Sequence, residues 1–354
     1  MKKVVTIWWW TWTYNLVSAL KWIDDIFINC IVSMSDDWGS TWFLRDEYGI
    51  LPPGDLRRAL IALADESKVD FLRKLFSYRF RSWLLKWQNL WNLIMLAAED
   101  IVGDYWKAIN ELEHLLNITK WKVYPSTLEK TRLLAKLENG DYIVWETNID
   151  IPKHNPWLKI EEFWVIKEDY AKILKAMDKY SWHIFDTKKI NKIFDLTVEL
   201  AIQDKPFHNP KIEKVLENAD YIIIGPWDLY TSILPNILIL WGVVNLIKNS
   251  KAKKIYIANL FTKLGETNWF TLSRFLKVFE KYLGEDIFDL ILIQDRRAVD
   301  IPWELLVWYK KEGKEIVEND LKWDNRVFEV DVVKIWEFIR HDKDKLRKVL
   351  QGIL

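Results

Sequence analysis

Short apolar runs and amphipathic stretches alternate along the chain. Residues 4–7 are β-branched or apolar, which predicts a strand, and Leu16, Val17 and Leu20 follow at helical spacing. A second strand is predicted over Phe27 to Met34. Behind the rigid turn Leu51-Pro52-Pro53-Gly54, Asp55 is placed as N-cap of a helix over Leu56 to Ala64. Helical periodicity covers Val69 to Leu85, Leu90 to Ala98 and Tyr105 to Leu116, and a strand covers Tyr142 to Trp145. Residues 167–218 are polar, lysine-rich and helical in pattern. Strands then return at Tyr221 to Ile224, Lys254 to Ala258 and Phe288 to Ile293, each followed by a polar loop. The Lys/Asp-rich tail keeps Ile335, Phe338, Ile339, Leu346 and Val349 apolar and predicts a packed terminal helix. Strands alternating with helices imply an α/β fold: a Rossmann-like, mainly parallel sheet with helices on both faces. One domain over residues 1–354 is expected, with a helical insertion or lid at 167–218 and a C-terminal extension at 302–354.

The loops contradict this pattern in one respect. Strand, short loop and helix over residues 4–21 is the arrangement in which a glycine-rich turn brings backbone N–H groups and a helix N-terminus to a phosphate. Here the loop reads Trp8-Trp9-Trp10-Thr11-Trp12-Thr13. Indoles cannot form that cradle, because the turn needs positive φ and bare backbone, which only glycine supplies cheaply. With glycine at those four tryptophans the stretch becomes an ordinary nucleotide loop. The chain has 23 Trp against 11 Gly, and glycine is normally about 7% of a protein. Many of these tryptophans sit in turn-like contexts, such as Asp37-Trp38-Gly39-Ser40 and Gly225-Pro226-Trp227-Asp228. A codon read with the wrong table explains this, since UGA specifies Gly in some bacterial lineages and Trp in others. Trp106 reads as a genuine indole, inside an amphipathic helix.

Charge and cysteine content narrow the partners. Lys plus Arg (51) equal Asp plus Glu (51), which gives no reason to expect nucleic acid or an anionic membrane. Cys30 is the single cysteine, so no internal disulfide forms and a cytoplasmic setting is expected. Five scattered histidines lack ligand spacing. The apolar start behind Lys2-Lys3 imitates a secretory signal, but Lys21, Asp24 and Asp25 follow at once, so secretion is not expected. Ile233 to Ile247 contains Pro235 and Asn236 and is shorter than the roughly 20 residues of a membrane span.

Several loop motifs, taken together, resemble the CofD-like superfamily, and within it the gluconeogenesis-factor branch more than the phospholactate transferases. The chain shows WWWTW at 8–12, DDWGSTWFLRDEYG at 36–49, PPGDLR at 52–57 and WQNLWNL at 87–93. It continues with WE at 145–146, GPWDLYTS at 225–232, Asn259, and GETNW at 265–269. Tryptophans 8, 9, 10, 12, 38, 42, 87, 91, 145, 227 and 269 fall where that family's pattern has glycine. Real indole substitutions would not seek out glycine positions. Departures also occur: Gln88 and Asn89 stand for His and Ser, Arg274 and Phe275 for an Asp-His pair, and Asp228 for Ser. These weaken a catalytic reading.

The resemblance implies a nucleotide site. In the glycine form, the amides of residues 8–13 with the Thr11 and Thr13 hydroxyls would hold a diphosphate. Gly225 to Ser232 offers a second nest, with Tyr230, Thr231 and Ser232 as donors and Pro226 in the turn. Asp36 and Asp37 suit a Mg²⁺, with bracing of the loop as the alternative for one of them. Arg45 and Arg57 are candidates for phosphate contacts, and an ion pair with Asp55 or Asp65 is the alternative for Arg57. Asn89, Asn92, Asn259 and Glu266 are placed to read a sugar or base, and Glu146 a ribose hydroxyl. Asp37, Gly39, Ser40, Gly54, Asp55 and Thr267 complete the nucleotide-binding set. Two functions follow from the resemblance. One is a regulatory protein binding a UDP-sugar such as UDP-N-acetylglucosamine, linked to carbon metabolism, cell-wall synthesis and cell shape. The other is a transferase moving a phospholactyl group from a nucleotide diphosphate donor to a deazaflavin alcohol with Mg²⁺. A homo-oligomer is compatible with either. Peptide sequencing of the natural product is expected to find glycine at residues 8, 9, 10 and 12. Indoles there would end the codon explanation.

Overall fold

The computed structural model describes the chain apart from residues 9–11, 37–40, 42–43, 46–47, 49, 65–70, 73, 83–84, 87, 153, 181–186 and 240–242; for 8, 12–14, 178–180 and 187–190 only the backbone is described. Strand β1 (Lys2–Trp8) lies inside a seven-stranded sheet, next to β2 (Ile26–Val32) and then β3 (Trp121–Pro125). The chain next forms a separate antiparallel sheet in which β4 (Thr131–Leu137) is flanked by β5 (Tyr142–Val144) and β6 (Ile160–Lys167). It then returns to the other side of β1 with β7 (Tyr221–Ile224), β8 (Lys253–Ile257), β9 (Leu290–Gln294) and β10 (Val327–Val330). Every pairing in the large sheet is parallel.

Period-two alternation sends successive side chains to opposite faces, and both faces are covered. Val4, Ile28, Cys30, Val32, Ile223 and Ile255 enter one core, beneath helices Trp12–Leu20, Gly54–Leu63, Leu90–Val102, Tyr105–Leu115 and Lys343–Gln351. Val5, Ile7, Ile31, Ile222, Ile224 and Tyr256 enter the other, against helices Lys211–Glu217, Val243–Asn249 and Leu272–Leu283 and one face of the small sheet. The fold is therefore the expected α/β, Rossmann-like arrangement. Residues 167–218 supply helices Glu168–Tyr180 and Thr187–Gln203 before Lys211–Glu217. Among the described residues, no single helix is long and apolar enough to cross a membrane. The apolar pair Leu229–Leu238 and Val243–Asn249 is bent by 83°.

Several elements differ from expectation. Strands β3, β4 and β6 carry lysine, arginine or glutamate between their apolar residues, and that masks them. The helix predicted to reach Leu85 stops near Ser77, and Arg79 instead bridges to Asn89. Asp55 is not an N-cap: the helix starts at Gly54 behind Pro53, with Asp55 in its first turn. The tail is helical only from Lys343; before it, β11 (Val333–Ile335) and β12 (Ile339–His341) form an antiparallel pair.

Backbone angles bear on the tryptophans. Among the described residues, the non-glycine positions at positive φ are Asp25, Asn117, Trp145, Trp269 and Asp286. The two tryptophans are both at positions where the family pattern has glycine. Trp145, with φ 84° and ψ 135°, lies in a region that essentially only glycine occupies. Its ring is nonetheless held between Arg132 and Lys175, 4.1 and 4.3 Å from its centroid. Trp91 is different. It is helical and fully buried, its Nε1 donates to the Pro53 carbonyl (3.1 Å), and its ring lies against Phe76. An indole where the family pattern has glycine therefore need not strain the backbone, since Trp91 has no positive φ. Trp145→Gly and Trp145→Ala both lose the indole, but only glycine relieves the backbone. We expect Trp145→Gly to be more stable than Trp145→Ala by about 1–3 kcal/mol in chemical denaturation.

Candidate functional site

The chain fills the sheet outward from β1 in one direction through β2 and β3, then in the other from β7 through β10. The order reverses between β1 and β7, and the loops leaving their C-terminal ends diverge there. In open parallel sheets such a reversal opens the ligand crevice. Helix Trp12–Leu20 begins where β1 ends, so its N-terminus faces that crevice. Trp9, Trp10, Thr11, Asp37, Gly39 and Ser40 lie outside the described residues. Trp8, Trp12 and Thr13 are placed by their backbone at this edge.

On the β7 side, Gly225 has φ 85°, and a Cβ on it would stand 2.6 Å from the Ile257 carbonyl oxygen. The loops after β7 and β8 are thus pressed together, and only glycine permits that approach. Asn259 Nδ2 fastens them by donating to the Trp227 carbonyl (2.7 Å). Thr267 braces its own turn, its hydroxyl accepting from the Lys263 amide (2.9 Å). The expected second phosphate nest has an internal occupant. Glu266 Oε2 accepts the Tyr230 and Thr231 amides (3.1 and 3.4 Å), and Oε1 accepts the Thr231 hydroxyl (2.9 Å). The Ser232 amide donates to the Asp228 carbonyl (3.1 Å). Glu266 thus meets Tyr230 and Thr231, and the backbone amides of residues 230–232 are all engaged within the protein. The carboxylate holds the loop as a phosphate would.

Arg45 is likewise not a free phosphate ligand. It is 1% exposed and donates to the carbonyls of Asp36 (2.8 Å) and Thr131 (2.7 Å) and to Glu168 Oε1 (3.3 Å). Arg132 meets the same Glu168 oxygen at 2.6 Å. Arg57 is buried and donates to the Phe76 carbonyl (3.2 Å); it is Arg58 that pairs with Asp55, at 3.5 Å. Asn89 caps helix Leu90–Val102, accepting the Trp91 amide (3.0 Å), and Asn92 is buried in the first turn. Asn89 is thus engaged as a helix cap. Asp36 is buried with an oxygen 2.5 Å from where a Gly54 Cβ would stand, at the start of helix Gly54–Leu63. Arg57 and Arg58 lie within its electrostatic reach, so this carboxylate already sits in cationic surroundings and suits a brace better than a Mg²⁺ ligand. Glu146 is buried in the short helix Glu146–Asp150.

Sequence reasoning missed a cluster next to this region. Lys263 Nζ bonds Asp150 Oδ1, donates to Asp228 Oδ2 (2.7 Å) and lies 2.8 Å from Glu266 Oε1. Burial pushes Glu266 up to about 7; Lys263 opposes that rise, and Asp228 and Asp150 add to it. Burial also raises Asp228. For Lys263 burial works against the charge, yet the three acids outweigh it and hold the ammonium well above its ordinary range. The signal available in the sequence was Asp228 itself, an acid replacing Ser, together with a lysine three residues before Glu266. The cluster opens on a cavity of about 440 Å³. Pro226, Asn259 and Lys263 line one side, and Tyr309, Lys314 and Arg340 of the C-terminal segment line the other.

Sheet order, helix N-terminus and crevice together define a Rossmann-like protein with its ligand edge between β1 and β7. The comparisons narrow this class. The family model described as 2-phospho-L-lactate transferase CofD matches residues 13–335. A putative gluconeogenesis factor of Thermotoga maritima is 35% identical over 359 residues, covering 99% of each chain. The gluconeogenesis factor of Bacillus subtilis is 32% identical over 334 residues, covering 92% of this chain and 90% of its own. A crystal structure of a UPF0052 family member from Bacillus halodurans superposes with a TM-score of 0.80 at 29% identity, covering 99% of both chains. The chain belongs to the CofD family, and its curated relatives carry the name gluconeogenesis factor.

The Glu168 cluster yields a prediction. Burial pushes its carboxyl up, but Arg45 and then Arg132 and Lys172 outweigh that and hold it below its ordinary value of 4.5. Glu168 therefore contributes stability above that value and loses it as pH falls through the lower folded value. Glu168→Ala leaves two buried guanidiniums without this partner and should cost about 3–5 kcal/mol at neutral pH. Denaturant titration from pH 7 downward should show this deficit shrinking as the wild type itself loses the ion pairs.

Proposed function

We propose that the chain is a nucleotide-sugar-binding regulatory protein of the gluconeogenesis-factor type, acting in the cytoplasm on a ligand resembling UDP-N-acetylglucosamine. Its role is linked to carbon metabolism, cell-wall synthesis and cell shape. The observation that carries this reading is the crevice at the β1/β7 reversal, with a helix N-terminus on one lip and a 440 Å³ cavity beside the other. Phosphates bind at such helix starts because unpaired amides and the helix dipole converge there. The relatives' shared name supports the regulatory role. The motif Gln88 and Asn89, standing for His and Ser, leave no acid–base pair there, and Asn89 is engaged as a helix cap.

The reading requires glycine at positions 8, 9, 10 and 12, so that backbone rather than indole faces the diphosphate. The transferase alternative draws on the description of the matched family model. A calorimetric titration of the glycine-bearing chain with UDP-N-acetylglucosamine and with GDP, each with and without Mg²⁺, separates the two. We expect the UDP-sugar to bind more tightly and the tryptophan-bearing chain to bind neither. Preference for GDP together with turnover of a deazaflavin alcohol would replace this reading with the transferase.

A further inference from the structure

Three carboxylates from separate loops meet at the lip of the cavity. Asp150 ends helix Glu146–Asp150, Asp228 follows the Gly225–Pro226 turn, and Glu266 lies in the loop after β8. Their nearest oxygens all lie within 4.8 Å of one another. Acids gathered this closely in partly buried surroundings repel one another, and a hard divalent cation is the usual remedy. Here the space is taken by the Lys263 ammonium. An ammonium has three N–H donors; this one donates to Asp150 and Asp228 and forms an ion pair with Glu266 at 2.8 Å.

We infer that Lys263 is a tethered cation, standing where a divalent ion would otherwise stand, and a positioning residue that acts through Glu266 on the 228–232 loop. The path is short. Glu266 Oε1 faces Lys263 and the Thr231 hydroxyl, while Oε2 receives the Tyr230 and Thr231 amides. Glu266 has no side-chain exposure, whereas Asp150, Asp228 and Lys263 are each about one-fifth exposed and line the cavity, so the acid that braces the loop is the innermost of the four. Asp228 adds an acid where the family pattern has Ser, and the chain meets that acid with lysine. A single ammonium against three acids leaves the group short of positive charge. Burial accordingly pushes Asp228 and Glu266 toward holding a proton, and Lys314 on the cavity wall adds positive charge near Asp228. This inference does not depend on which nucleotide the crevice takes.

Manganese titration followed by electron paramagnetic resonance, with amide hydrogen exchange on the same samples, tests it on the full-length glycine-bearing chain. Lys263→Met is expected to bind one more Mn²⁺ per chain than the wild type, and adding Asp228→Asn to it should abolish the gain. Without metal, the Tyr230 and Thr231 amides should exchange faster in Lys263→Met than in wild type, and Mn²⁺ should slow them again. Lys263→Arg should keep the wild-type exchange and take up no Mn²⁺ beyond the wild-type amount. Should Lys263→Met not fold, Lys263→Gln carries the same measurements. Equal Mn²⁺ uptake by wild type and variant overturns the inference. So does a folded variant that neither gains Mn²⁺ nor changes exchange at 230–231. Nucleotide-sugar affinity is not a readout here, so failure of this test and failure of the functional reading are told apart.

Discussion

A parallel sheet whose strand order reverses must part its connections at the reversal, since the chain packs back over the sheet to one side before the break and to the other after it. In this protein the break falls between β1 and β7, and the rest of the architecture serves it. Apolar strands with both faces buried fix the sheet rigidly, and the two cores hold helices on either side. The loops at the break can then differ in sequence without disturbing the frame. Gly225 pressed against the Ile257 carbonyl shows how tightly two of them are stacked.

Charge, rather than apolar packing alone, fixes the shape of these loops. Glu168, on the first turn of its helix, gathers Arg45 and Arg132 from two distant parts of the chain. Lys263 gathers Asp150, Asp228 and Glu266 from three. Buried ion pairs add little net stability over apolar packing, but losing one member is costly. Such clusters fix geometry, which suits loops that must hold a shape without a large core beneath them.

Much of the frame was legible because hydrophobic periodicity reports burial directly. The strand at Tyr221–Ile224 was readable to the residue, because its apolar run is bounded by polar ones. β4 and β6 were not readable. Arg132 sits within β4 yet is fully buried, because Glu168 neutralises it from elsewhere in the fold. Pattern reading counts such a residue as a surface signal. The motifs were visible in the sequence, but the partners their residues take in the fold were not foreseeable. Arg45 and Glu266 have the chemistry of ligand contacts, yet Arg45 satisfies two backbone carbonyls and Glu168, and Glu266 two backbone amides and Lys263. What a charged group binds depends on which loop arrives beside it, and only the tertiary arrangement decides that. The tryptophans form a separate case. Trp145 and Trp269 stand at backbone angles suited to glycine, whereas Trp91 fills a core comfortably, so indoles at family glycine positions do not share one structural consequence.

The last helix, Lys343–Gln351, places Leu346 and Leu350 in the same core as Leu16 and Leu20 of the first, and Tyr221 reaches the Ile353 carbonyl (3.3 Å). During synthesis the opening segment leaves the ribosome long before its cover is made. Helices Gly54–Leu63, Leu90–Val102 and Tyr105–Leu115 reach that core early, but the patch around Leu16 and Leu20 lacks its last cover until residues 343–351 are made, and such transiently exposed apolar surface favours aggregation.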